Sequence, residues 1–399
     1  MEWSLPKERL ADLLNLSNRV IDSRVAKKTY ALNKHGEIVL SSVTGSPLIH
    51  EIVQAIGKNN VTMPHNLVVG ESFSGAGGMS IGFEMAGFKS AFLVEFDKDA
   101  AATLKRNRPN WNVLHKDIHY VDFTQFKGKI DIMLGGFPCQ SFSDTGKRLG
   151  FNDTRGTLFH EYARSIMESE PKAFIAENVP GLLSHDKGRT LEAICSAFSD
   201  IGYTLIEPRV LKAMLYNVPQ KRERLFLAGF RNDIARSIDF EWPYPSAFPI
   251  YTVRDAFYKG KLHNCDVPSS KGINYSERKK KVMDLVPEGG NWRDLPESIQ
   301  REYMGGAFLA QGGKTSFAKR LSWDSPSNTL TCSPAQKQTE RCHPEHTRPL
   351  TTREYARLQT FPDTWDFSGS TNSIYKQIGN AVPVNMAHAI AQSITKTLT

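Results

Sequence analysis

Cys139 is the residue whose surroundings best suit a nucleophile. It lies in Gly135-Gly136-Phe137-Pro138-Cys139-Gln140-Ser141-Phe142-Ser143, directly after the apolar run 130–134. That run reads as a strand, which puts the turn at the carboxyl edge of a sheet, where open α/β folds bind ligands. Glycine and proline before the thiol expose it on a loop. The competing reading is a small buried hydrophobe. An ordinary thiol is only a few per cent thiolate near pH 7, so helpers matter. Glu177-Asn178-Val179-Pro180 follows the run 172–176 in the same way and places a carboxylate on the same edge. A partly buried carboxyl can hold a proton to higher pH and donate it; a plain loop-capping acid is the alternative. Gln220-Lys221-Arg222-Glu223-Arg224 precedes the run 225–228. Strand alternation puts Gln220, Arg222 and Arg224 on one face. Two forked donors there suit a phosphate and a carbonyl-bearing base, unless the run is a solvated surface.

A second set of residues points to a nucleotide-like ligand. Phe73-Ser74-Gly75-Ala76-Gly77-Gly78 stands between the apolar run 67–70 and a helical pattern at 79–86. Glycines there allow a tight turn and a close approach of backbone to ligand, or simply small-residue packing. Glu95 ends the next strand-like run and is placed to accept hydrogen bonds from ribose hydroxyls. Phe73 and Phe96 read either as purine-stacking rings or as core. The turn carries no Gly-Lys-Ser/Thr, which disfavours a phosphate-loop ATPase.

These residues need a scaffold, and the chain supplies one. Strand-like runs at 67–70, 91–94, 130–134, 172–176 and 224–228 alternate with helical patterns at 79–86, 99–106, 155–168 and 189–201. That alternation predicts a doubly wound, mostly parallel sheet. It stops near Trp242-Pro243-Tyr244-Pro245, and residues 246–367 are loop-rich. Residues 374–397 recover a strand-turn-helix character, with a closing helix at 387–394. Before residue 65, a pattern at 8–24 predicts an amphipathic helix. The 399 residues are 40% apolar and 23% charged, which fits a globular chain of two or three domains. No run of 18 apolar residues occurs, and no signal-peptide layout opens the chain, so a cytoplasmic protein is expected. Five cysteines without a C-x-x-C exclude a disulfide framework or zinc ribbon. Cys195, Cys265, Cys332 and Cys342 read as structural, and Cys342-His343 with His346 fits no zinc spacing, so no metal is expected. The net charge of +8 hints at a polyanionic partner, its largest share lying in 246–367. The dense run Arg278-Lys279-Lys280-Lys281 is either a solvated helix face or a phosphate-contacting patch.

Taken in order from about residue 67 to 397, these segments resemble the DNA (cytosine-5) methyltransferases. The turn with Phe73, Gly75, Gly77 and Gly78 resembles the family's S-adenosylmethionine motif. Glu95, Phe96, Asp117 and Ile118 resemble its ribose- and adenine-side contacts. Pro138-Cys139-Gln140 resembles the nucleophile loop, Glu177-Asn178-Val179 the acid motif and Gln220-x-Arg222-x-Arg224 the basic motif. Arg348-Pro349-Leu350-Thr351-Thr352-Arg353-Glu354, with Arg357, Leu358, Gln359, Phe361 and Pro362, resembles the segment that holds the recognition domain. Gln377-Ile378-Gly379-Asn380-Ala381-Val382-Pro383 resembles the last motif, which returns to the cofactor pocket. Glu71 departs from the family's aspartate but keeps the carboxylate.

The resemblance implies a Rossmann-like S-adenosylmethionine-dependent domain over 66–245, completed by 368–399. It also implies a smaller loop-rich target-recognition domain over 246–367. Cys139, Glu177, Arg222 and Arg224 would be catalytic. Asn380 would join the cofactor contacts. Gln140, Ser143, Lys314 and Arg320 would touch DNA. The implied partners are double-stranded DNA and, genetically, a cognate restriction endonuclease, with a monomeric protein and no membrane. Two other readings stay open. Thr331-Cys332 beside Pro138-Cys139 admits an RNA cytosine-5 methyltransferase. Residues 1–65 admit a helical DNA-binding autoregulator or a packing arm.

Overall fold

A computed structural model describes residues 65–138, 157–246, 250–309 and 315–399, with parts of 4–49. Its centre is one sheet whose strands run in the order β5-β4-β3-β6-β7-β11-β8, with β9 also paired to β11. The strands are β3 (Val68–Ser72), β4 (Lys89–Glu95), β5 (Val113–His115), β6 (Ile132–Gly135), β7 (Ala173–Asn178), β8 (Tyr203–Leu205), β9 (Arg209–Lys212) and β11 (Glu223–Arg231). β1 (Ser4–Leu5) and β2 (Ile38–Val39) form a separate antiparallel ribbon. β10 (Gln220–Lys221) pairs in parallel with β12 (Ser327–Asn328). From β5 to β7 the sheet is parallel; β11 runs antiparallel to both β7 and β8, so it alone is reversed. The chain winds outward from β3 to β5 and returns to β6 beside β3. This reversal is a topological switch point, and a crevice opens there beyond the strand ends.

Alternation within the strands sorts their side chains onto two buried faces. Val69, Ile132, Leu134, Ile175 and Phe226 face one apolar cluster. Phe92, Met133, Phe174, Leu225 and Leu227 face the other. Helix α1 (Asn18–Ala26) precedes the sheet. The first face is covered by α2 (Gly78–Met85) and, from the far end of the chain, by Met386, Ile390 and Ile394. Helix α3 (Lys98–Asn107) starts at Asp97, whose carboxylate accepts from the Asp99 and Ala100 amides at 2.9 and 3.2 Å. The second face carries α4 (Leu158–Ser169) and α5 (Arg189–Asp200). There Phe174 and Phe198 lie 4.2 Å apart and fully buried, each burial worth roughly 2 kcal/mol.

The loop-rich stretch has two parts. Helices α6 (Val253–Phe257) and α9 (Thr352–Leu358) share an apolar cluster with Ala76, Leu93 and Leu104 of the sheet domain. Helices α7 (Glu277–Asp284) and α8 (Glu297–Met304) surround a separate small core of Tyr275, Met283, Trp292, Met304 and Cys342. The basic run forms the outer face of α7. Arg278, Lys280 and Lys281 are exposed, while Lys279 turns inward to the buried Glu340. The chain closes with α10 (Thr371–Asn380) and α11 (Val384–Leu398). This corrects the strand expected near 374: Tyr375 and Ile378 recur at helical spacing and are buried on one side of α10. Glycine makes the junction possible. A Cβ on Gly78 would stand 2.2 Å from the Val382 carbonyl, and one on Gly82 2.5 Å from Ala387 Cβ. In the N-terminal region, Leu10, Ile21, Ile38 and Leu40 are buried in the same cluster as the sheet's first face.

Candidate active site

Strand register brings the chemical residues together. Ser72 pairs with Gly135, and Gly135 with Ala176. The residues that follow on the three strands therefore share one edge. Antiparallel pairing of Phe226 with Glu177 delivers Arg224 to that edge from the opposite direction. A cavity of about 660 Å³ opens here. Its walls are Phe73–Gly75 and Gly78; Glu95 and Asp97; Gly136, Phe137 and Pro138; Glu177, Asn178 and Arg224; and Lys376, Gln377 and Asn380.

The glycine-rich turn is shaped for a ligand. Gly75 and Gly77 take φ of 53° and 88°, and a Cβ on Gly75 would meet nothing within 4 Å. Phe73 holds a left-handed φ of 60°, a conformation unfavourable for a non-glycine residue and common at ligand sites. Glu95 fixes the turn: its two oxygens accept from the Gly75 and Asp97 amides at 2.6 and 2.7 Å. Burial raises its pKa against those two bonds. A carboxylate has about four lone-pair directions, so acceptor capacity is left for a ligand. Glu71 lines the floor, 1% exposed, with Ser80 Oγ donating to its carboxyl. Burial, with a further push from the Glu95 charge, lifts its pKa to about 8.

The acid and the guanidinium meet. Arg224 Nε lies 2.6 Å from Glu177 Oε1, with both side chains about seven-eighths buried. Gly136 leaves room for this pair, since a Cβ there would sit 3.1 Å from Glu177 Oε2. Asn178, quoted above only as Glu177's neighbour, has a role of its own. Its amide donates to the Phe137 carbonyl at 3.0 Å, and its oxygen accepts from the Val179 amide at 2.8 Å. It thereby fastens Phe137, just beyond β6, to the acid strand. Asn178→Ala should slow turnover about tenfold, the loss of roughly one buried bond, while cofactor affinity stays within about threefold. Steady-state kinetics beside calorimetric titration checks this. Lys376 was also not foreseen: it pairs with Asp97 at 3.1 Å on the cavity wall.

Other expected site residues fall elsewhere. Cys139, Gln140, Ser143 and Lys314 lie outside the described residues. Phe96 is 73% exposed beside Glu95. Asp117 caps a short turn and bonds to His119, and Ile118 is buried in the second apolar cluster; neither is among the cavity residues. Asn380 lines the cavity, and its oxygen accepts from the Cys332 thiol at 3.2 Å. Two of the expected residues are held by partners within the protein. Arg222 is fully buried, its pKa lowered to about 9 by desolvation. It donates to the carbonyls of Leu330 and Gly379 at 3.1 and 3.0 Å, so it braces the loop-rich part against the sheet. Arg320 is 4% exposed and donates to the carbonyls of Val286, His343 and Met283 and to Thr347 Oγ1. Those bonds engage its guanidinium inside the small core and keep it from a DNA surface. A second cavity of about 470 Å³ adjoins the first through Arg224, with Lys212, Lys221, Asn328 and Arg341 on its walls.

A switch-point cavity with a glycine turn, on a parallel sheet with the single reversed strand β11 next to its edge, is the arrangement of a Rossmann-like methyltransferase. A prophage-encoded DNA modification methyltransferase of E. coli superposes with a TM-score of 0.60 at 27% identity, over 84% of this chain and 99% of that one. The Dnmt2 methyltransferase of S. pombe shares the fold, with a TM-score of 0.55 at 18% identity, over 83% of this chain and 98% of that one. Residues 67–396 match the family described as C-5 cytosine-specific DNA methylase. The chain is 59% identical to the type II methyltransferase M.Eco47II of Escherichia coli, over 82% of this chain and 78% of that protein. It is 48% identical to M.Sau96I of Staphylococcus aureus, over 88% and 80%. The chain therefore belongs to the C-5 cytosine-specific DNA methylase family and is a DNA cytosine methyltransferase. Among the described residues, no helix is long and apolar enough to cross a membrane.

Proposed function

We propose that this enzyme methylates carbon 5 of a flipped-out cytosine within a short duplex DNA sequence, through a covalent adduct on Cys139. The methyl donor is S-adenosylmethionine, and the modification protects DNA from a cognate restriction endonuclease. The observation that carries this reading is the Glu177–Arg224 pair on the same cavity wall as Pro138, facing the glycine-rich turn.

The cavity fits the cofactor. About 660 Å³ suits a ligand of that size. Phe73 and the Gly75–Gly78 turn would hold its body, Glu95 its ribose and Asn380 its far side, while Phe96 offers an exposed ring for stacking. When bound, the cofactor supplies an electrophilic methyl group on a sulfonium. The protein supplies the rest. Carbon 5 of cytosine is a poor nucleophile until the Cys139 thiolate adds to carbon 6. Glu177 protonates or hydrogen-bonds ring nitrogen 3, where charge develops, and Arg224 donates to the base carbonyl. After transfer, loss of the carbon-5 proton and cleavage of the sulfur–carbon-6 bond return Cys139. Paired bases are inaccessible, so the target leaves the stack. The second cavity, with Lys212 and Lys221, suits the phosphates flanking it. Target reading falls to the loops around the small core of 275–342.

Bisulfite sequencing of plasmid from cells expressing the gene tests the substrate. Protected cytosines should recur in one short sequence context; complete conversion in cells that contain the folded enzyme overturns the reading. A matching 5-fluorocytosine duplex should form a denaturation-resistant complex, and its absence with active enzyme removes the thiol adduct.

A further inference from the structure

Glu71 has no part in the chemistry above, yet it forms the floor of the cofactor cavity. It sits in β3, immediately before the glycine-rich turn, with its carboxyl 1% exposed. A charged side chain so enclosed is expensive unless something compensates it. The groups that set its charge are few among the described residues. Ser80 on α2 donates to it and Glu95 at the end of β4 repels it, while the nearby Tyr162 hydroxyl on α4, held neutral by burial, is bonded to the Met133 and Ile175 carbonyls instead. Lys376 lines the same cavity, but its ammonium is paired with Asp97. The floor thus holds the buried Glu71 beside the half-buried Glu95, and the two cations on the wall, Lys376 and Arg224, are already partnered by Asp97 and Glu177.

Such a floor favours a ligand that brings its own positive charge. The substrate form of the cofactor carries a sulfonium; the product, S-adenosylhomocysteine, is a neutral thioether at the same atom. We propose that Glu71 is a charge sensor that makes the cavity prefer the sulfonium cofactor over its spent product. This rests on the cofactor assignment above. In the ligand-free protein burial keeps Glu71 largely protonated at neutral pH, with its pKa near 8. A sulfonium in the cavity stabilises the carboxylate, so its binding expels a proton. The thioether gives no such stabilisation, so the proton stays or returns after transfer. The sign follows by linkage. Below the ligand-free pKa, cofactor binding must release a proton and is weakened. As pH rises through it, that cost disappears. Preference for the sulfonium form therefore rises with pH.

Isothermal titration of both ligands into the intact enzyme tests this, from about pH 6 to about pH 9, in buffers of different ionisation enthalpy. The parent should gain about tenfold in preference for S-adenosylmethionine over S-adenosylhomocysteine across that range, tenfold being one unit of pKa displacement. It should release a proton with the former ligand only. Glu71→Gln should flatten the preference and abolish the release, with the ligands' own amine titrating as a common background. Glu71→Asp should restore both. Should Glu71→Gln fail to fold, Ser80→Ala keeps the test open: loss of the bond to the carboxylate should move the proton-release midpoint to higher pH. An unchanged preference in folded Glu71→Gln, or an unmoved midpoint in Ser80→Ala, overturns the charge sensor. Failure of the parent to bind either ligand overturns the cofactor assignment instead.

Discussion

Cys139→Ala is expected to lower methyl transfer by on the order of 10⁴-fold or more, because in the proposed mechanism its thiolate makes the addition that activates carbon 5. The cavity gives this prediction its specificity. Pro138 is on the wall beside Glu177, and Asn178 ties down the Phe137 carbonyl two residues before the thiol. The change removes one sulfur atom and leaves the glycine turn, Glu95 and the Glu177–Arg224 pair in place. Affinity for S-adenosylmethionine should stay within about threefold of the parent. Single-turnover transfer of labelled methyl groups, beside calorimetric titration, checks both halves. Residual transfer within about tenfold of the parent would remove Cys139 from the mechanism.

Glu177→Gln should lower turnover by roughly 10²- to 10⁴-fold, the range of a positioned acid or base. The amide keeps the shape but cannot share a proton with ring nitrogen 3. It also leaves Arg224 beside a neutral partner in a largely buried site. The pair acts as a unit, so a second change at Arg224 should add far less than it does alone. The combination of Glu177→Gln with Arg224→Met, measured as kcat/KM against both single variants, reads this directly. Strict additivity would mean that the two side chains work independently. Near-normal turnover in Glu177→Gln would leave the acid as a scaffold for Arg224 only.

Much of the scaffold was legible because its signals are local. The runs at 67–70, 130–134 and 172–176 are apolar stretches bounded by turn residues, and each begins or overlaps an observed strand. Glu177 and Arg224 were legible because each stands where a strand ends or begins at the ligand edge. Arg222 and Arg320 were not, because their roles depend on partners far away in the chain. Alternation placed Arg222 correctly between Gln220 and Arg224 but could not show the carbonyls of Leu330 and Gly379, more than a hundred residues on. A guanidinium in a loop-rich basic stretch reads as surface by default. Arg320 is buried because four acceptors converge on it, and convergence is a property of the folded chain. The same limit hid β5, β8 and β9, which are three or four residues long. Helix α10 was mistaken for a strand because Ile374-Tyr375 alone carries no period.

The brace at Arg222 also says where this chain can be taken apart. The loop-rich stretch is not attached to the sheet domain only at its two ends. Gln220 and Lys221 pair with Ser327 and Asn328, Arg222 holds Leu330, and α6 and α9 share a core with Leu93 and Leu104. A chimera cut near 246 and 367 would exchange half of that shared core for a relative's and put the Leu330 carbonyl that Arg222 holds on the exchanged side. Cuts nearer 267 and 318 would move α7, α8 and most of their own small core as one cassette. Even that shorter cassette has a bonded far seam: Arg320 reaches back to Met283 and Val286, and Lys279 forward to Glu340, so the residues that travel with α7 and α8 are set by these contacts and not by the change in composition.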